Sequence, residues 1–71
     1  MLVINVHYLK VAFTQYFNDF GKNVKVGSRI TGELIRYSNM RTEYGDEIVG
    51  IVVGNDSEIY YVPAIWLFQL E

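Results

Sequence analysis

Apolar positions repeat at helical spacing in the first third of the chain and at every second residue in the rest. On a helical wheel, Leu9, Ala12, Phe13, Tyr16, Phe17 and Phe20 fall on one stripe. Lys10, Thr14, Gln15 and Asn18 lie opposite, with Val11 the misfit. The spacing predicts an amphipathic helix over about 6–20. Asn5 is its candidate cap, Gly21 its stop, and Lys22 follows where a cation suits a helix end. The β-rich run Leu2-Val3-Ile4-Asn5-Val6 predicts a brief extended segment, over 2–4 or 2–6, leading into it.

From Asn23 onward Val24, Val26, Ile30 and Leu34 alternate with Lys25, Arg29, Thr31 and Glu33, which predicts a half-buried strand over about 23–37. Gly27 and Gly32 interrupt it and suggest bends. The polar run 38–46 reads as a loop. Strand 47–53 is apolar on both faces, hence central. Gly54-Asn55-Asp56-Ser57 reads as a hairpin turn, 58–62 as the next strand, Pro63 as its end, and 65–70 as a closing strand. The expected fold class is α+β: one domain over 1–71, with an N-terminal helix packed on a small, strongly bent antiparallel sheet or partly open barrel of about four to five strands.

This order, with its sequence details, resembles the Sm-like fold of Hfq and the LSm proteins over most of the chain. Ile30-Thr31-Gly32-Glu33-Leu34 is similar to the glycine-centred core of the first Sm motif, and Ser38-Asn39-Met40 lies where that motif places a polar Asp-x-x-Asn pattern. Ile59-Tyr60-Tyr61-Val62-Pro63-Ala64-Ile65 resembles the strand, turn and strand of the second motif. Val62-Pro63 stands where the family carries Arg-Gly or Tyr-Lys-His, so the uridine pocket does not carry over. Tyr61-Val62-Pro63 also resembles the end of an SH3-like barrel. That resemblance implies a peptide groove, for which Tyr37, Tyr44, Tyr60 and Trp66 are the available aromatics.

Composition narrows the chemistry. The 71 residues contain no cysteine and one histidine, His7. That removes disulfides, thiolate zinc sites, cysteine nucleophiles and histidine-rich metal sites, and fits a reducing, cytoplasmic setting. Neither a membrane span nor a signal peptide is expected, since apolar runs are short and no basic segment precedes Met1-Leu2-Val3-Ile4. The net charge of −2 conceals an asymmetry. Up to position 42 stand all six basic residues and two acids, Asp19 and Glu33; beyond it stand six acids and no base.

The basic half supplies the first candidate site. Lys22, Lys25, Arg29, Arg36 and Arg41, with Tyr37 and Tyr44, suit RNA or single-stranded nucleic acid: arginine and lysine meet phosphates while bases stack on tyrosine. The acidic half supplies the alternative. Glu43, Asp46, Glu47, Asp56 and Glu58, with Trp66 and Phe68, suit a protein partner. A small inhibitor or adaptor of this kind, of the sort phages encode, would engage a host protein that handles nucleic acid. The large apolar residues of 65–70 also make homo-oligomerisation an expectation.

Catalysis is not expected. Asp46 and Glu47 are adjacent strand residues pointing to opposite faces, so they share no proton, and no phosphate loop or nucleophile elbow is present. No cofactor or metal is called for.

Overall fold

The computed structural model describes residues 9–70. The extended segment expected over 2–6, and His7, lie outside them. The described chain runs β1 (Leu9–Phe17), β2 (Asn23–Thr42), β3 (Gly45–Gly54), β4 (Ile59–Pro63), a 3-10 turn (Ala64–Trp66) and β5 (Phe68–Gln69).

The α+β expectation is overturned: residues 9–17 of the expected 6–20 helix form a strand, and the described residues hold an all-antiparallel β-sheet. The segment Val11–Phe17 is rich in β-branched and aromatic residues, which fit a pleated surface better than a helix. Val11, the misfit on the wheel, is buried together with Phe13, as strand alternation requires. Gly21 ends no helix. It sits at φ +73° in a turn between β1 and β2, where the Asn18 side-chain oxygen accepts the N–H groups of Phe20 (2.9 Å) and Lys22 (3.0 Å).

Four boundaries move as well. The strand expected over 23–37 continues to Thr42, so the expected 38–46 loop is mostly a β-hairpin turning at Glu43-Tyr44. The strand expected over 47–53 runs from Gly45 to Gly54, and that over 58–62 from Ile59 to Pro63. The strand expected over 65–70 is a 3-10 turn followed by two strand residues. In the β3–β4 turn the positive φ falls on Ser57 (70°) rather than on glycine, asparagine or aspartate.

β2 is long enough to serve two neighbours. Its Asn23–Leu34 half pairs with β1 and its Gly32–Thr42 half with β3, so both of its edges are engaged only at 32–34. Two irregularities bend it. Val26–Arg29 bulge opposite the single residue Thr14, and Ile35 is the extra residue opposite β3. β1 closes the ring on its other edge, pairing with β4 at Phe17↔Tyr61 and with β5 at Val11↔Gln69 and Ala12↔Phe68. The result is a small barrel-like sheet.

Inside it Val11, Phe13, Leu34, Val52 and Val62 form the core, with Tyr16, Ile30, Tyr60, Trp66 and Leu67 packed against them. Phe17 and Val49 are buried outside this cluster, Phe17 lying 6.1 Å from the Tyr44 ring and 6.3 Å from Trp66. The β2–β3 tip is tied back to the β1–β2 turn. The Glu43 N–H donates to the Gly21 carbonyl (2.9 Å), and the Glu43 carboxylate accepts the Asn23 N–H (2.7 Å).

Candidate functional site

The seven residues proposed to meet nucleic acid do not form one face. Arg36 and Tyr37 are consecutive strand residues, opposite Ile51 and Gly50 of β3, and so project to opposite sides of the sheet. Arg41 is opposite Asp46 and donates from Nε to its carboxylate at 2.7 Å, both side chains being exposed. Tyr44 leans toward Phe17 at the hairpin tip. Lys22, Lys25 and Arg29 remain, in the β1–β2 turn and along the first part of β2. Glu43 stands beside them through its bond to Asn23.

The acidic set divides in the same way. Glu43 holds the tip, as described. Asp56 accepts the Tyr60 hydroxyl at 2.6 Å and the Glu58 N–H at 3.0 Å, with Glu58 in the same turn. The hydroxyl bond, then the backbone bond, holds the Asp56 carboxyl below its usual range. The same bond to Asp56, with burial second, pushes the Tyr60 hydroxyl up to about 12. These groups shape a turn. Trp66 belongs to the core, whereas Phe68 on β5 is exposed.

Asp46 and Glu47 lie elsewhere, on a stretch of β3 with an open edge. β4 pairs with β3 only from Val53↔Ile59 to Val49↔Pro63, and the chain then turns away through Ala64–Trp66. Among the described residues nothing pairs with that side of β3 from Gly45 to Ile48. Proline has no N–H, so Pro63 suits a rung that needs no donor. On antiparallel alternation, the hydrogen-bonded rung is then Gly50↔Val62, and the backbone groups of Ile48 and Asp46 face the open side.

A groove of about 390 Å³ lies along this edge, lined by Asp46, Glu47, Ile48, Pro63, Ala64 and Ile65. Ile48 is 59% exposed and Ile65 83% exposed. A smaller depression of about 190 Å³, lined by Asp19, Ser38, Asn39, Met40, Val49, Ile51 and Tyr61, holds one carboxylate and no base. No group of three or more metal-ligating side chains occurs among the described residues. No helix there is long and apolar enough to cross a membrane.

Sequence reasoning selected Asp46 and Glu47, and Ile65 only as part of a self-associating last strand, but missed Ile48 and the edge itself. The available signal was Pro63, which ends a five-residue strand pairing with a ten-residue one. Comparison of the chain with protein-family models, with curated proteins and with solved structures finds no match.

Proposed function

We propose that the chain is a non-enzymatic protein-binding module that receives an extended segment of its partner as an added strand along the open edge of β3. One observation supports this above the others. β4 leaves β3 at Pro63, so the backbone groups of Asp46 and Ile48 face a groove flanked by the exposed Ile48 and Ile65. Strand addition uses such main-chain groups for affinity and flanking pockets for selectivity. The fold reading that accompanies it is SH3-like, supported by the long bent strand, the hairpin and the corner at Pro63 before a short closing strand. The cysteine-free composition supports a cytoplasmic setting.

Capture from a nuclease-treated lysate tests the reading. The wild-type chain should recover a stoichiometric protein partner, and Ile48→Asp should lose it while keeping its circular dichroism spectrum. Recovery unchanged by Ile48→Asp would overturn it.

A second reading, contact with single-stranded nucleic acid, is favoured by Lys22, Lys25 and Arg29 alone, since no acid interrupts positions 20–32. Three phosphate contacts to a single strand would give an affinity falling with salt at a log–log slope of about −2. Anisotropy of labelled RNA at several salt concentrations checks this, and absence of binding at low salt removes it.

A further inference from the structure

Resting on the strand-addition reading, we propose that the strand added to β3 carries a lysine or arginine opposite Glu47 with apolar residues on either side, and that it is not the same β3 edge of a second copy. The open stretch is Gly45-Asp46-Glu47-Ile48. Side chains alternate along it, so Asp46 and Ile48 share one face and Glu47 takes the other. On the Asp46 face the nearest cation is already supplied, because Arg41 is paired with Asp46 at 2.7 Å. Glu47 has no such partner. No ion pair or side-chain hydrogen bond to it exists among the described residues, it is half-buried, and it lines the groove with Pro63 and Ala64. A strand laid along this edge therefore brings one side chain against an uncompensated carboxylate, and its neighbours against Ile48 and the groove wall.

The same geometry excludes symmetric pairing of this edge with its own copy. Two copies of this edge meeting antiparallel have two registers that engage the open rungs. One sets Glu47 opposite its own copy, and the other sets Asp46 opposite its own copy. Directly opposed residues hold their Cβ atoms about 4.5–5.5 Å apart, and like charges there are destabilising. A register centred on Ile48 runs into Gly50, whose outward groups are taken by β4. Charge therefore selects a basic strand and rejects the same acidic edge of a second copy.

The test uses the 71-residue chain and two peptides, Thr-Val-Lys-Val-Thr and Thr-Val-Glu-Val-Thr, titrated while backbone amide resonances are followed. The lysine peptide should shift the Asp46 and Ile48 amides and bind about tenfold more tightly than the glutamate peptide, one attractive rung replacing one repulsive rung. Glu47→Lys should reverse that preference, and sedimentation should show no wild-type dimer that protects the Asp46 and Ile48 amides of both copies. Equal binding of both peptides at these amides would overturn the charge assignment and leave strand addition standing. Shifts with neither peptide would overturn strand addition and the charge assignment together. A wild-type dimer joined through the Asp46 and Ile48 amides of both copies would overturn the exclusion of symmetric pairing.

Discussion

Gly32 is where β2 is held on both edges at once, opposite Val11 of β1 and Gly54 of β3. A methyl group there would stand 2.8 Å from the Gly54 Cα and 2.9 Å from the Val52 Cγ1, and closer still to the Val53 carbonyl oxygen. Carbon atoms prefer separations of about 3.5–4.0 Å. Two of these three neighbours are backbone, so no side-chain rotation relieves the contact, and the β2–β3 ladder must separate. Overpacking of this kind costs about 1–3 kcal/mol, and a clash with backbone places Gly32→Ala near the upper figure. A 71-residue domain has about 4–10 kcal/mol in total, so the loss is a large share. At about 4–8 °C per kcal/mol for a domain this small, Tm should fall by more than about 10 °C.

Two further glycines calibrate the result. Gly50→Ala meets only the ends of two leucine side chains, Leu67 Cδ1 at 2.6 Å and Leu34 Cδ1 at 2.7 Å. These can turn aside, so its cost should be smaller, about 1–2 kcal/mol. Gly27→Ala meets nothing within 4 Å, and should be neutral or stabilising by up to about 1 kcal/mol through the unfolded chain. Urea unfolding followed by circular dichroism orders the three. Gly32→Ala as stable as Gly27→Ala would refute the close approach of β2 to β3 at Gly32.

Phe13 is fully buried at the centre of the core, so Phe13→Ala should cost about 3–5 kcal/mol and leave the chain partly unfolded at room temperature by near-ultraviolet circular dichroism; a native spectrum would contradict the core assignment. The Tyr60–Asp56 bond should show in alkaline and acid titrations of stability. With the Tyr60 hydroxyl raised from 10.0 to about 12, its contribution is complete below pH 10 and is lost as the pH rises from 10 through 12. With the Asp56 carboxyl lowered from 3.8, its contribution is complete above that value and is lost as the pH falls below it. The difference in urea midpoint between wild type and Tyr60→Phe should therefore shrink at both extremes, and a difference that stays constant would count against the bond.

Much of the sheet was legible from residues 23–63, because alternation, glycines and Pro63 act locally. The first strand was not. Leu9, Ala12, Phe13, Tyr16 and Phe17 satisfy a helical wheel, yet they also suit a strand that is covered on both faces where a small barrel closes. Ala12 is as fully buried as its neighbours Val11 and Phe13, which gives three consecutive buried residues and blurs the period of two. The polar segment 38–46 misled for the opposite reason. Most of its outward residues, such as Asn39 and Arg41, face solvent on an extended hairpin, so hydropathy alone does not separate it from a loop. The open edge lay further out of reach, since it depends on how many β3 residues β4 covers. That follows from where Pro63 falls in the register, a relation between two strands that no single segment records.

Glu47 links the stability of this small barrel to its proposed use. An open strand edge invites pairing with any other edge, and charged side chains are a common defence against it. Glu47→Val keeps the rungs of Asp46 and Ile48, adds β propensity and removes the carboxylate that self-pairing would oppose. In the register that sets position 47 against its own copy, two valines would then face each other between two rungs that pair Asp46 with Ile48. The variant should sediment as a concentration-dependent dimer, with the Asp46 and Ile48 amides protected from exchange, while wild type stays monomeric with both amides exchanging freely. Adding Ile48→Pro to Glu47→Val removes an edge donor that β2 does not use, and should restore the monomer. A Glu47→Val chain that stays monomeric, with these amides already protected in wild type, would mean that the edge of β3 is covered in solution. The carboxylate would then have no open edge to guard.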